Sequence, residues 1–189
     1  MKRLVLLFLF LSGFSIVHAA PVEVTEWQVP WEDTRPRDPF VDQQGRVWFC
    51  GQKGEYLAYL EPDSGQFKKY ELERGAGPHN LIVDGDGSVW FAGNRKGYIG
   101  KLDPTSGKIV RYSIPNKEAS DPHTLVFDSQ GDIWFTVQHG NFVGKLMTAT
   151  GEVKLVKVPT PDARPYGIRV DSKDRPWIVS RQLKVDRLS

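Results

Sequence analysis

One pattern occurs four times in this chain of 189 residues and constrains its fold more than any other feature. Each copy has a proline, about a dozen residues that include an aspartate and a turn, and then a tryptophan. The prolines are Pro36, Pro78, Pro122 and Pro165, and the tryptophans are Trp48, Trp90, Trp134 and Trp177. Successive tryptophans are 42, 44 and 43 residues apart. Self-similarity at this period is typical of solenoids and β-propellers.

Each copy has the pattern of four short strands joined by turns. In the second copy, residues 80–83, 88–91, 98–102 and 108–114 are rich in β-branched and aromatic residues or alternate polar with apolar ones. No stretch shows convincing helical periodicity. Four-stranded units of this length are typical of propeller blades. The sequence therefore predicts an all-β fold, a β-propeller of four-stranded blades with 42–44 residues per repeat and about four blades present.

The repeat also predicts where the blades lie. We expect blades at about 36–77, 78–121 and 122–164, an incomplete blade at 165–189, and an outer strand at 22–30. Three arrangements are compatible with this pattern: part of a longer propeller, a closed ring of four blades that the outer strand completes, or a ring completed by a second chain. An open arc leaves sheet edges unpaired, so self-association through those edges is also expected.

The N-terminus has the pattern of a secretory leader. Two basic residues precede an apolar run over residues 4–17, and small residues follow up to Ala19. The run is too short for a good membrane span. We therefore expect residues 1–19 to be a signal peptide that is cleaved near Ala19, so that residues 20–189 are exported to the periplasm or secreted, without a membrane anchor.

Charge and cysteine content narrow the classes of partner. Without Lys2 and Arg3 the chain has 23 basic and 23 acidic residues, so it gives no reason to expect nucleic acid or an anionic membrane as a partner. A small-molecule or peptide ligand is the expected partner. Cys50 is the only cysteine, which excludes an intrachain disulfide, and its strand-like context predicts a buried apolar residue.

Two sets of side chains are expected to meet at one mouth of the central tunnel. The first strand of a blade lies nearest the axis, and the second strand returns to the mouth where the first begins. One set is Arg37, His79, His123 and Tyr166, and the other is Gln52, Asn94, Gln138, His139 and Arg181. Two imidazoles near Asp121 form a candidate acid–base cluster. The alternative is that each Pro-His pair only shapes the loop that enters its strand.

These residues carry a resemblance to a known family. The repeat Pro-His-x-x-x-x-Asp-x-x-Gly-x-x-Trp-Phe, followed by Gly-Lys-Leu and by Thr-Gly-x-x-x-x-Tyr-x-x-Pro, resembles that of the streptogramin B lyases, the virginiamycin B lyase family. The resemblance implies a seven-bladed propeller that opens a cyclic depsipeptide by elimination across its ester. It also implies a magnesium ion, which stabilises the negative charge that develops.

Matched by motif, the resemblance implies His79 and His123 as catalytic residues and places Asp121 and Gln138 at the metal positions. Asp121 stands where the family has Glu, and Gln138 replaces a second Glu, so one anionic ligand is missing. Arg37, Asn94, His139 and Tyr166 are expected to bind ligand at the mouth. Three functions remain open: a magnesium-assisted C–O lyase, a non-catalytic propeller that binds a small molecule, glycan or protein, and an inactive remnant.

Overall fold

The computed structural model describes residues 22–181 and 184–187. The predicted signal peptide lies outside these residues. The strands are β1 (Pro36–Val41), β2 (Val47–Gly51), β3 (Tyr56–Glu61), β4 (Gln66–Glu71), β5 (Pro78–Val83), β6 (Val89–Gly93), β7 (Tyr98–Leu102), β8 (Ile109–Ser113), β9 (Pro122–Phe127), β10 (Ile133–Val137), β11 (Phe142–Leu146), β12 (Val153–Lys157), β13 (Pro165–Val170), β14 (Pro176–Ser180) and β15 (Lys184–Arg187). The one helix within the described residues is a 3-10 turn at Lys117–Ala119. None of the described segments forms a helix long and apolar enough to cross a membrane.

The strands form four antiparallel sheets in which neighbours follow chain order: β1–β4, β5–β8, β9–β12 and β13–β15. The first strands of the four sheets pack side by side, β1 on β5, β5 on β9 and β9 on β13. Each sheet is therefore a blade whose first strand lines the inner edge of an arc. The prediction of an all-β propeller with about four blades is confirmed.

The six-residue spacing between aspartate and tryptophan has a physical cause that the sequence analysis missed. In blade 2 the Oδ1 atom of Asp84 accepts two backbone N–H groups of its own turn, which closes an Asx turn. Its Oδ2 atom accepts the indole Nε1–H of Trp90 at 2.8 Å. Trp48 donates in the same way to Asp42, and Trp177 to Asp171. One carboxylate thus joins the hairpin turn to the second strand.

Blade 3 departs from this arrangement. The indole Nε1–H of Trp134 is buried and has no hydrogen-bond partner among the described residues. Asp128 instead pairs with Lys145 at 2.8 Å, and Lys145 also lies 3.1 Å from Asp132. The ammonium group of Lys145 lies 5.3 Å from the centre of the Trp134 ring. A cation that interacts with both the carboxylate and the ring therefore replaces the direct bond.

Glycines on the third strands make room for aromatic rings on the second strands. Gly100 lies opposite Phe91, and Gly144 lies opposite Phe135. A Cβ atom at either glycine would overlap the facing ring. Fully buried Trp48 contributes to the same apolar cluster as Phe91, at the boundary between blades 1 and 2. The glycine of the Gly-Lys-Leu motif therefore reflects packing between neighbouring strands of one blade.

The structure differs from the prediction at the N-terminus. Residues 22–29 have no regular secondary structure, so the outer strand predicted at 22–30 is not formed. Val29 and Trp31 instead pack on the free face of blade 1, against Phe49, Tyr56 and other side chains of that face. A strand needs an edge with which to pair, whereas apolar side chains only need a surface to cover.

The arc is open in the described residues. Strand β13 makes no contact with β1 comparable to those between successive inner strands, so the four blades do not form a closed ring. The exposed fractions of Trp48 and Trp90, which face a following blade, are 0% and 2%. Trp177 on blade 4 is 40% exposed. Blade 4 therefore leaves partly exposed the apolar face that is buried in blades 1 and 2.

Candidate functional site at the inner edge of the arc

Every inner strand has a shift in its pairing close to its first proline. Between Pro78 and Leu81 the pairing of β5 with β6 shifts by one residue, so His79 and Asn80 together face a single residue of β6. The same shift places His123 and its neighbour in a bulge of β9. A β-bulge re-aims side chains at the end of a sheet. The Pro-His pairs therefore direct both imidazoles to the inner edge.

The inner edge brings together aromatic side chains from three blades. The ring centres of His79 and His123 are 3.6 Å apart with an angle of 39° between the ring planes. The ring of Tyr166 lies 4.4 Å from that of His123. The imidazoles are 6% and 4% exposed, whereas Tyr166 is 41% exposed. The expectation that these three residues meet at the mouth therefore agrees with their positions in the structure.

Asp38 joins this cluster from blade 1, although the sequence analysis did not single it out. Its Oδ2 atom lies 3.5 Å from His79 Nδ1. Asp38 has a backbone φ of +48°, a left-handed conformation that aspartate tolerates better than most residues. The Pro-x pattern drew attention to Arg37, whose guanidinium donates to Gln52 Oε1 at 3.1 Å. A positive φ gives no signal at this position in the sequence.

The electrostatics of the cluster favour a neutral His123. Burial, together with the electrostatic influence of His79 and Arg37, lowers the pKa of His123 from 6.5 to about 3. Burial alone would raise the pKa of Asp38, but its hydrogen bond and charge interaction with His79 and the charge of Arg37 hold that pKa below its ordinary value. His123 is therefore an unprotonated imidazole at neutral pH beside an ionised carboxylate.

Asp121 and His139 form a separate loop contact beside the mouth. Asp121 Oδ2 accepts the backbone N–H of His139 at 2.8 Å and lies 2.7 Å from His139 Nδ1. Its Oδ1 atom accepts the N–H of Gly140 at 3.3 Å. The His139 side chain is 73% exposed. Asp121 therefore closes the loop between β10 and β11, and His139 extends into solvent.

Two amide side chains predicted at the mouth, Asn94 and Gln138, differ in their hydrogen bonding. Asn94 donates through Nδ2 to the carbonyl oxygen of Pro122 at 2.9 Å, which ties blade 2 to blade 3. Gln138 is buried, and its Nε2 atom has no hydrogen-bond partner among the described residues. Asn94 thus has a structural partner, whereas Gln138 keeps an unused donor.

The described residues do not fit a magnesium site. No group of three or more His, Cys, Asp or Glu side chains among them has an arrangement that could hold a metal ion. Both oxygens of Asp121 already accept hydrogen bonds, and Gln138 brings no charge, whereas magnesium prefers carboxylates and water in octahedral geometry. The metal positions that the resemblance implied, Asp121 and Gln138, therefore lack a suitable donor set here.

A groove adjoins the cluster on the side of blade 4. It has a volume of about 530 Å³ and reaches from Thr124 and Tyr166 to Trp177, Val179 and Val185. Thr136 joins its two walls, because its Oγ1 accepts the Thr124 N–H at 3.2 Å and donates to the Tyr166 carbonyl oxygen at 2.8 Å. Sequence reasoning did not identify Thr136. The groove lies against His123 through the ring of Tyr166.

Together, the radial arrangement of antiparallel blades and their inner first strands define a β-propeller. The chain belongs to the virginiamycin B lyase family, whose model matches residues 16–188. Among curated proteins, none matches the chain.

Solved structures agree with this assignment. One is a catalytically inactive histidine-to-alanine variant of virginiamycin B lyase from Staphylococcus aureus with quinupristin, which is 28% identical with a TM-score of 0.80 and covers 87% of this chain. A streptogramin B lyase structure is 25% identical, with a TM-score of 0.77 and 88% coverage. This chain spans 56% and 58% of those two proteins. The WD40 propeller of Doa1, at 16% identity and a TM-score of 0.67, shows the fold alone.

Proposed function

We propose that this chain binds a small cyclic ester or peptide at the inner edge of its arc. The observation that carries the proposal is the contact of His79, His123 and Tyr166 beside a groove of about 530 Å³. That volume falls within the range of about 300–1,000 Å³ typical of small-molecule sites. Family membership supports the ligand class, since one solved relative contains quinupristin.

The chemistry of the groove suits such a ligand. Most of its wall residues are apolar, including Ile168, Ile178, Val179 and Val185. They would accept the hydrocarbon and aromatic parts of a cyclic peptide. Tyr166 supplies an exposed ring for stacking. The neutral imidazole of His123 can accept a hydrogen bond. The lining also includes Arg169, whose guanidinium donates to the Ile168 carbonyl oxygen at 3.3 Å.

Elimination across the ester is the second candidate function, and the neutral state of His123 favours it. An unprotonated imidazole can take the proton α to a carbonyl. The electrons of that C–H bond form a carbon–carbon double bond, the C–O bond breaks, and the departing carboxylate keeps its electron pair. The lowered pKa of about 3 makes His123 a weak base, and the described residues offer no magnesium site. Binding is therefore the better supported function.

Calorimetry with quinupristin tests the binding proposal. We expect saturable binding that Tyr166→Ala weakens at least about tenfold, since truncation of an aromatic residue at the centre of a binding site typically costs about 2 kcal/mol or more. Val110→Ala, an exposed change on the outer strand of blade 2, is the matched control and should bind as wild type. Equal affinity for all three proteins, or no binding at all, would overturn the proposal.

Mass spectrometry of the same mixture separates binding from chemistry. Elimination opens the ring without a change of mass but alters the chromatographic retention, hydrolysis adds a water, and binding alone leaves the ligand intact.

Chelation with EDTA should not change binding if magnesium has no role. Because the pKa of His123 is about 3, His123→Gln should leave the pH dependence of binding unchanged between pH 5 and 8.

Export is part of the same proposal. The basic start, the apolar run and the small residues before Ala20 support a cleaved leader. Fractionation of expressing cells followed by N-terminal sequencing is the test. A chain in the periplasm or medium that begins near Ala20 is the expected result, and an intact N-terminus in the membrane fraction would contradict it.

A further inference from the structure

We propose that Asp38 is a positioning residue that holds His79 in one orientation and one tautomer across the boundary between blades 1 and 2. The role deepens the proposed function, because it concerns the state of the same histidine pair. It rests on the geometry of the bulge in β1, on the contact between the two side chains and on the repeat itself.

The backbone of blade 1 is built differently at this point. In β5 the pairing shifts directly after Pro78, whereas in β1 both Pro36 and Arg37 keep their partners and the shift follows them. Asp38 lies in this later shift with a φ of +48° and is followed by a proline, which restricts its backbone further. Strain of this kind persists where the surrounding structure requires it and is concentrated at functional sites.

The contact joins a partly exposed carboxylate to a buried imidazole. The side chain of Asp38 is 37% exposed, and that of His79 is 7% exposed. His79 Nδ1 has no full hydrogen bond among the described residues, and Asp38 Oδ2, 3.5 Å away, is the acceptor that approaches it. Such contacts are commonly long in the free protein and shorten when ligand binds. A carboxylate at Nδ1 favours the tautomer with the proton on Nδ1, so that Nε2 is free to accept.

The repeat shows that this carboxylate is particular to blade 1. The residues at the equivalent position of the other blades are Asn80, Thr124 and Gly167, none of which carries a charge. Asn80 Oδ1 accepts the backbone N–H of Leu125 at 2.8 Å, and a hydrogen bond from the Asn80 side chain also helps to lower the pKa of Asp38. The second residue after the proline contacts an imidazole in two blades: Asp38 approaches His79 of the next blade, and Thr124 Oγ1 lies 2.9 Å from His123 Nδ1 of its own blade. Only in blade 1 does this residue bring a charge, and only there does it reach an imidazole across a blade boundary.

The experiment measures the tautomer of His79 by ¹⁵N NMR on the full chain, without ligand. Asp38→Gly removes the carboxylate and suits a positive φ, so the variant should fold. Asp38→Asn keeps an acceptor oxygen without the charge. We expect the Nδ1–H form to predominate in wild type, and the ratio of Nδ1–H to Nε2–H to fall at least about tenfold in Asp38→Gly. In Asp38→Asn we expect most of the wild-type ratio of Nδ1–H to Nε2–H to be kept.

Asp63→Asn, in an exposed turn at the other end of blade 1, is the control for the loss of a charge and should leave the ratio unchanged. A His79 tautomer ratio that is the same in wild type and Asp38→Gly would overturn the proposal. The readout needs no ligand, so it is independent of quinupristin binding. If the ratio falls while quinupristin does not bind, Asp38 keeps its positioning role and only the proposed function fails.

Discussion

The two ends of the arc differ in how their free apolar faces are covered. The free face of blade 1 is covered by Val29 and Trp31, and the ring of Trp31 lies 4.9 Å from that of Tyr56 in an edge-to-face arrangement. The free face of blade 4 has no such cover in the described residues, and Trp177, Val179 and Val185 are 40%, 47% and 67% exposed. A blade cannot bury both of its faces by itself, so the burial of each face depends on what lies beside it.

The comparison also separates local structure from packing. Trp177 donates its indole N–H to Asp171 at 2.9 Å, just as Trp90 donates to Asp84, although one indole is exposed and the other is buried. The turn and the strand therefore form in both blades without help from a neighbour. What the neighbour adds is the removal of the ring from water, which is the larger part of the stabilisation.

The largest expected effect comes from the same substitution at equivalent positions of the repeat. Trp90→Ala removes a ring that is 2% exposed and should reduce the free energy of unfolding by about 3–5 kcal/mol. Trp177→Ala removes a ring that is 40% exposed and should cost less than about 1.5 kcal/mol. Urea denaturation followed by circular dichroism measures both. Equal losses would show that the face of blade 4 is covered in solution.

A smaller effect is expected where the N-terminal segment covers blade 1. Trp31→Ala removes contacts with Tyr56 and Phe67 and with the ammonium group of Lys69, 5.1 Å from the ring. The free energy of unfolding should fall by about 1–2 kcal/mol. The matched control is Trp27→Ala, since Trp27 is 39% exposed and should contribute much less.

If Trp31→Ala unfolds in urea like the wild-type chain, residues 27–31 do not stabilise blade 1. The two ends of the arc would then be equally unprotected, and the contrast between them would be only one of position. Hydrogen exchange at β3 gives an independent measurement, because loss of the cover should accelerate exchange there before it affects β7.

Much of this architecture could be predicted from the sequence, and the exceptions have physical causes. The 42–44-residue period predicts strands and blades because turn residues and alternating apolar residues are local signals. The outer strand expected at 22–30 does not form, because its formation depends on an edge elsewhere in the molecule. The link from Asp84 to Trp90 was present as a constant spacing, but the spacing alone does not indicate a hydrogen bond.

The candidate site was predictable only in part. The Pro-x positions indicate that His79, His123 and Tyr166 meet, because the repeat places equivalent residues around one axis. Asp38 was missed because a left-handed backbone re-aims its side chain. The metal role that the resemblance implies for Asp121 stays a prediction, and the hydrogen bonds that its oxygens accept from His139 and Gly140 could not be predicted from the motif.

The smallest effect concerns association through the free face of blade 4. An exposed apolar face beside an open edge favours contact with other chains, so the self-association expected from the sequence remains a prediction. Light scattering across a range of concentrations should show a rising average mass, and Val179→Lys should abolish the rise by placing a charge in that face. Val110→Lys, at a valine that is 40% exposed on β8, is the control and should associate as wild type. If both variants associate equally, contact between chains occurs elsewhere, and exposure of Trp177 has no consequence for assembly.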